Sequence, residues 1–320
     1  MVDSQPLVTV LMSVWNSPLT ELQQAIDSIL GQTFSGFEFL IMDDGSTDPA
    51  IPTYLEERSE KDCRIRVIRE QHRGLTPTLN RGLELASGRF IARQDADDWS
   101  HPERLDRQVS FFRDQPEAIL CGSNAWTHQQ NGFRLWRTRL PQTSQQIANA
   151  LLNGNPFVHG STMFLRQAAL AAGGYCEQFR CSQDYDFFWR LSELGGAFNL
   201  EQPLYHYRYS ATSISAGKAA EQAIAHGAAK RLAKARQQGN PEDANWAMQA
   251  VRQEMQQEEA GYRPLLKQAD HLMLAGAYKA AVRAYLNLLR QHPGSPLAWA
   301  KLMRLGIFVA LPKAREACFR

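Results

Sequence analysis

Three acidic stretches carry residue types that could do chemistry together: DDGSTD at 43–48, QDADD at 94–98 and QDYD at 183–186. In the second, Asp95, Asp97 and Asp98 put three carboxylates into four positions, just after the apolar run Phe90-Ile91-Ala92. Like charges this close raise the cost of ionising one another. A solvated strand-to-helix loop is one explanation, with Ser100 as N-cap or Pro102 in the first helical turn. The other is a divalent cation that offsets the repulsion, since hard cations take oxygen ligands. The stretch alone leaves both open.

The surrounding elements narrow the choice. LVTVLMSV at 7–14 is a continuous apolar, β-branched run and reads as a buried strand. Leu22, Ala25, Ile26, Ile29 and Leu30 then recur at helical spacing, with Gly31 as a stop. FEFLIM at 37–42 is a second strand, and IPTYLEERSE continues into a helix. RIRVIR at 64–69 is a third strand, polar enough to lie near an edge. LTPTLNRGLELASG is a helix, with Thr76 placed to cap it, Pro77 in its first turn and Gly88 at its end. The alternation β-α-β-α-β-α-β predicts a parallel sheet with helices on both faces. In such sheets ligands bind beyond the carboxyl ends of the strands. SVWNS, DDGSTD and QDADD all fall at such ends. Their convergence on one rim strengthens the cation reading.

Further along, AILCGSNAW at 118–126 reads as a strand, and NPFVHGSTMFLRQAALAAGGY as a loop, a strand and a helix. CSQDYDFFWRLSELG reads as a helix with Phe187, Phe188, Leu191 and Leu194 on its apolar side and Asp184 and Asp186 in its first turn. From about residue 214 the chain is alanine-rich and helical. One helix ends at Gly239, and the next has Asn240 as N-cap, Pro241 at its first position and acids in its first turn. Ala269, Gly276, Tyr278, Ala281, Tyr285 and Pro293 fall near the spacing of one tetratricopeptide-type hairpin, and a plain helical extension fits equally well.

The bulk numbers set bounds. A chain of 320 residues allows one large domain or two smaller ones. A net charge of +2 argues neither for nor against nucleic acid. No apolar stretch reaches the length of a membrane span, and MVDSQP does not begin a signal peptide. Five scattered cysteines form no zinc-like double pair and are expected as reduced thiols, Cys176 and Cys181 included. The expected location is the cytoplasm, with the inner face of the cell membrane open as a docking place; the helical tail is open to peripheral membrane association or to a protein partner.

Residues 5–210, carrying PLVTVLMSVWNS, FEFLIMDDGSTD, QDADD and SQDYDFFWRL in that order, resemble a family 2 inverting glycosyltransferase of the GT-A fold. No single motif establishes this; their order and their placement at strand ends do. The resemblance implies a GT-A (Rossmann-like) α/β domain over residues 1–213, with a mostly parallel sheet flanked by helices. An all-α region follows over 214–320. It implies transfer of a sugar from a nucleotide-sugar, a UDP-sugar foremost, to a glycan or lipid-linked saccharide acceptor in polysaccharide biosynthesis, and no nucleic-acid partner. The leaving diphosphate needs charge stabilisation, which Mn²⁺ or Mg²⁺ supplies.

The implied roles map onto this sequence as follows. Asp97 is the leading metal ligand and Asp98 its neighbouring candidate, with helix capping open for Asp98. Asp95 holds the ribose or a metal-bound water. Asp44 accepts from the nucleobase, while Asp43 contacts the nucleotide or fixes the turn. Ser13 and Trp15 line the base pocket, and Asn16 closes that loop; Trp15 either stacks on the base or is a partly buried aromatic. Asp184 is the base that deprotonates the acceptor. Gln183 departs from the commoner Glu, which leaves further acceptor contacts open, and Asp186 is structural. His159 lies near the diphosphate or acceptor, or is structural. Arg73 and Arg93 are weaker phosphate candidates. A nucleotidyltransferase is an alternative, but SVWNSPLTE lacks its glycine-rich basic loop. A non-catalytic helical scaffold is another, against which Asp44, Asp97 and Asp184 all stand.

Overall fold

Strand β1 (Val8–Val14) is buried at every position but Ser13, so it must be covered on both faces. The computed structural model describes residues 5–209, 219–257 and 262–310. Val8, Val10, Met12 and Val14 share one cluster with Leu22, Ala25, Ile26 and Ile29 of helix α1 (Leu19–Leu30). Ile51 and Leu55 of α2 (Ala50–Lys61) join it, as do Leu105 and Phe112 of α4 (Arg104–Asp114). Leu11 points to the other face and packs over Gly82 of α3 (Leu75–Leu85). The period of two in β1 thus meets a helix layer on each side.

β2 (Phe37–Asp43) and β4 (Phe90–Asp95) flank β1 in parallel, and β3 (Ile65–Arg69) lies parallel outside β2, at the edge its polarity predicts. The register sets Ser13 beside Met42 and Asp95, and Val14 beside Asp43. The first two acidic stretches therefore leave the sheet at the same end, one position apart in register. Beyond β4 the sheet turns antiparallel through β8 (Met163–Leu165) and β6 (Ala118–Gln129) to β9 (Gly196–Tyr209) and the short β5 (Trp99–Ser100). β7 (Arg134–Arg137) pairs with β6. Helices α5 (Ser144–Leu151), α6 (Arg166–Ala171) and α7 (Gln183–Leu194) complete this part, with Phe187 of α7 edge-on to Phe164 of β8.

Some local expectations are corrected by tertiary contacts. Thr76 does not cap α3: Gly74 occupies the N-cap, and the buried Thr76 hydroxyl donates to Phe179 O at 3.1 Å. The helix ends at Leu85, while the Gly88 N–H donates to Thr9 Oγ1 at 2.8 Å. Neither Ser100 nor Pro102 starts α4, whose N-cap is Glu103. Pairing with β9 captures residues 99–100 first, and the Ser100 hydroxyl donates to Gln94 Oε1 at 2.7 Å. Leu194 ends α7 exposed, outside its apolar side.

The chain divides into two compact units, residues 1–126 with 137–207, and 127–136 with 208–320. The second carries α8 (Ala219–Gln237), α9 (Ala244–Gln257), α10 (Tyr262–Leu274), α11 (Tyr278–Gln291) and α12 (Pro296–Ala310) among the described residues. Asn240 and Pro241 precede α9 without starting it; Asp243 caps it by accepting from Trp246 N at 2.9 Å. Ala269, Ala281 and Tyr285 are buried with Leu288, Leu289, Ala298 and Leu305, giving α10–α12 a core of their own. Cys63, Cys121, Cys176 and Cys181 are all thiols, and Cys318 lies outside the described residues.

Candidate active site

The turn after β2 is built by its own side chains. Asp43 Oδ1 accepts from Ser46 N at 2.9 Å, and Gly45 at φ 69° takes the left-handed conformation that the turn requires. Asn16, left-handed at φ 47°, clamps the loop after β1 to this turn. Its N–H donates to Ser46 Oγ at 3.1 Å, and its Oδ1 accepts from Thr47 N at 2.9 Å and Asp48 N at 3.1 Å. Asp44, 3% exposed, accepts from Arg73 N at 2.8 Å and Gly74 N at 2.9 Å, and its Oδ2 lies 2.9 Å from His72 Nδ1. Trp15 is half-exposed and stacks on His72, with ring centroids 4.4 Å apart. Arg73 thus enters the cluster through its backbone.

The second stretch rests on buried cations. Arg93 donates to Asp95 Oδ1 at 2.6 Å and to Leu11 O at 3.2 Å. At 1% exposure it lies beneath the rim as a support, and the phosphate role expected of it is corrected. Arg104, fully buried, donates to Arg93 O, Thr162 O, Ser100 Oγ and Gln108 Oε1 at 2.7–3.1 Å. Burial pulls its pKa down to about 10, which leaves it charged at neutral pH. Gln94 Nε2 donates to Asp95 O and Asp98 O, tying the acidic loop to this network. Tyr205 Oη accepts from Asp95 N at 3.2 Å. A Cβ at Gly160 would fall 2.0 Å from Tyr205 Oη and 2.7 Å from Asp95 Oδ2, so only glycine fits there.

Asp97 is half-buried and Asp98 is 2% exposed, so Asp97 is the more open carboxylate. Among the described residues no three His, Cys, Asp or Glu side chains gather into a ready cation cage. An all-oxygen donor set this sparse fits Mg²⁺ or Mn²⁺, which keep waters and share substrate phosphate oxygens, better than a structural metal.

The third stretch opens α7, just after Ser182 in left-handed backbone at φ 54°. Asp184 Oδ2 accepts from Asn155 Nδ2 at 2.7 Å, and Asn155 Oδ1 in turn accepts from Phe157 N at 3.1 Å. Asp186 is buried in a 2.7 Å ion pair with Arg190. His159 Nε2 lies 3.0 Å from Tyr175 Oη. Burial, then the charge of Arg93, pushes the His159 pKa down to about 3 against a pull from Asp95, so the ring is neutral near pH 7. Burial raises the Tyr175 pKa, with Asp184 and Asp95 adding to the rise. Tyr175 therefore feels both the second and the third stretch.

Among the described residues of the site, buried Arg93 Nε and Gln183 Oε1 have no hydrogen-bond partner, while Asp43 Oδ2 lacks a hydrogen bond but lies 3.4 Å from Arg69 Nε. Such atoms are rare and call for an explanation. The sequence reading missed His72, Arg104, Asn155, Tyr175 and Tyr205. Arg104 and Gln108 at i, i+4 beside Leu105 were a signal, since two polar residues interrupt the apolar face of α4. Asn155 had none.

Residues 9–174 match the model of glycosyl transferase family 2. The amylovoran biosynthesis glycosyltransferase AmsE of Erwinia amylovora is 28% identical over 190 residues, 59% of this chain and 71% of AmsE. Among solved structures, the mannosyltransferase PcManGT of Pyrobaculum calidifontis, in complex with GDP-Man and Mn²⁺, aligns over 99% of this chain and 84% of its own. It shows 19% identity and a TM-score of 0.54. TarS 1–349 of S. aureus, in complex with UDP-GlcNAc, aligns over 93% of this chain and 88% of its own, at 14% identity and a TM-score of 0.60. These structural likenesses carry the fold, a GT-A-type sheet flanked by helices, and the family match covers the strands that bear the first two acidic stretches. The chain belongs to glycosyl transferase family 2.

Proposed function

We propose that this chain is an inverting, metal-dependent glycosyltransferase that moves a sugar from a UDP-sugar to a hydroxyl of a glycan or lipid-linked saccharide during polysaccharide assembly. The observation that carries this reading is the carboxyl edge of the parallel sheet, where Ser13 pairs with Asp95 and Asp43 pairs one position on with Val14, so that all three stand at adjacent strand ends. The ligands in the TarS and PcManGT structures and the biosynthetic role in the name of AmsE support the substrate class.

In this reading Trp15, Ser13 and Asn16 shape the nucleobase end, with Asp44 reading the base and Asp43 holding the turn. Asp95 contacts the ribose or a bound water. Asp97, with Asp98 beside it, would hold a Mn²⁺ or Mg²⁺ ion, which would supply positive charge to offset that of the departing diphosphate. Asp184, oriented by Asn155, takes the acceptor hydroxyl proton as that oxygen attacks the anomeric carbon from the face opposite the leaving group. The bond from that carbon to the diphosphate oxygen breaks as the new one forms, which inverts the centre. His159, neutral, serves as a hydrogen-bonding group near the diphosphate or acceptor. Residues 1–213 act as the transferase domain and 214–320 as a helical region with one tetratricopeptide-like hairpin. The enzyme works in the cytoplasm, with the inner face of the membrane open to it as a docking place.

Isothermal titration of UDP in the presence of Mn²⁺ tests the metal assignment. Asp97→Asn should remove the Mn²⁺-dependent part of UDP affinity while leaving the thermal melt unchanged, because an amide is a poorer ligand for a hard cation. Unchanged Mn²⁺-dependent affinity in the variant sinks the assignment.

A further inference from the structure

The whole chain is nearly neutral at +2, yet residues 271–315 hold seven Lys or Arg and no Asp or Glu. On α11, Lys279, Arg283, Leu286 and Arg290 are exposed and recur at i, i+4, i+7 and i+11, while Ala281, Tyr285, Leu288 and Leu289 are buried. On α12 the buried side is Ala298 and Leu305. Its outer side shows Leu297, Trp299 and Met303 at 49%, 47% and 65% exposure, with Pro296 and Ala300 also exposed. At 100° per residue these five positions span an arc of about 160°. The Trp299 indole N–H donates to Pro293 O at 3.0 Å, so its polar group is already satisfied by the backbone. Lys301 is engaged with Asp270, which braces α12 against α10. An apolar helix face of this width, exposed to water, marks a contact surface.

We propose that the α11–α12 hairpin docks on an anionic lipid surface. In this arrangement Trp299 and Met303 enter the boundary between headgroups and acyl chains, and Lys279, Arg283 and Arg290 supply the attraction to lipid phosphates. The inference rests on this surface alone and is independent of the catalytic reading. Charge selects the occupant. A second copy of the chain would bring cationic hairpins face to face with no acid in either to meet them. An anionic headgroup layer complements them, and exposed charges act over about 10 Å at ordinary salt, roughly the width of one helix. The pattern of Trp, Met and Leu beside Lys and Arg is that of a helix lying in the interface. Spanning is excluded for α12 as described: its 15 residues reach about 22 Å, short of the roughly 30 Å hydrocarbon core.

Flotation of the full-length chain with vesicles tests this. Vesicles of phosphatidylcholine and phosphatidylglycerol in equal amounts should bind it about tenfold or more tightly than pure phosphatidylcholine, and rising salt should weaken that binding. Lys279→Glu with Arg283→Glu should lower the partition coefficient about tenfold or more. Trp299→Ser with Met303→Ser should do the same without changing the melting curve, because both side chains are exposed. The charge pair serves as the second test if the apolar pair disturbs the fold. Equal binding to both vesicle types overturns the proposal, as does wild-type binding by folded variants. A dimer that Trp299→Ser with Met303→Ser makes monomeric, in a protein that ignores vesicles, assigns the face to a second copy and also overturns it.

Discussion

In the first unit the buried polar side chains include Arg93, Arg104, Gln94 and Gln108 beneath the acidic rim and Asp98 within it. In the second unit Ala269, Ala281, Tyr285, Leu288 and Leu305 are buried, and Leu286, Leu297, Trp299 and Met303 are left outside. The first unit takes a cluster of polar groups inward and gives most of them partners. Its exposed apolar residues Trp15, Leu152, Leu170 and Leu194 lie apart in sequence, whereas the second gathers Leu297, Trp299 and Met303 on one exposed helix. A buried polar network costs desolvation, and its return is a fixed position for each member. An exposed apolar face costs contact with water, and its return comes only when something covers it. The contrast separates a region built to hold charges in place from one built to touch a second surface.

Three experiments can break or sharpen that contrast. The largest effect is expected at Asp184, where Asp184→Asn should lower sugar transfer by roughly two to four orders of magnitude, the usual range for losing a positioned base. UDP binding with Mn²⁺ should stay near wild type, because the amide affects the proton that moves and not the donor's ground-state contacts. Near wild-type turnover would reduce Asp184 to a helix-start acid. Next comes a pair read by denaturant unfolding. Arg104→Ala leaves Gln108, Ser100 and two carbonyls without their donor and should cost about 3–5 kcal/mol. Trp299→Ser, on an exposed face, should stay within about 0.5 kcal/mol. Equal costs would erase the distinction between the two units.

The smallest effect concerns pH. The pKa of His159 falls from an ordinary 6.5 to about 3 in the folded chain. Below 6.5 the unfolded chain takes up a proton that the folded chain refuses, so stability falls as pH drops from about 6.5 toward 3 and is unaffected above that window. His159→Gln removes this term. The wild type should lose about 1–2 kcal/mol more than the variant between pH 7 and pH 5. Parallel pH profiles for the two proteins would show that the ring is not held neutral.

The parallel half of the sheet was legible because its strands are buried on both faces and so read as unbroken apolar runs bounded by polar residues. The acidic clusters were legible by their place at the ends of those runs. Capping was read less well. Thr76, Ser100 and Asn240 have the right chemistry for caps, but Thr76 answers to Phe179, far away in sequence, and Ser100 to nearby Gln94 and, by strand pairing, to distant Tyr205. Local propensity is silent about such partners. The same holds for Asn155, which reaches Asp184 across 29 positions, and for His72, which reaches Asp44 across 28. Arg93 looked like one of many surface arginines because its charge outweighed the buried strand Phe90-Ile91-Ala92 that precedes it.

The in-register ends of β1, β2 and β4 make the edge of the sheet a fixed gauge. Neighbouring strands sit about 4.8 Å apart, so the places where Ser13, Asp43 and Asp95 leave the sheet are set by backbone pairing and not by the loops that follow. Loop exchange could then change which sugar or acceptor is accommodated while leaving the nucleotide end where it is, a modularity useful to both natural diversification and engineering. The gauge has one weak point. A single residue inserted within β1 would turn every later side chain of that strand to the opposite face, moving Ser13 out of line with Asp95 and Leu11 away from Gly82. Tolerance of insertions should therefore rise sharply from the strand interior to the first loop residue beyond the strand end.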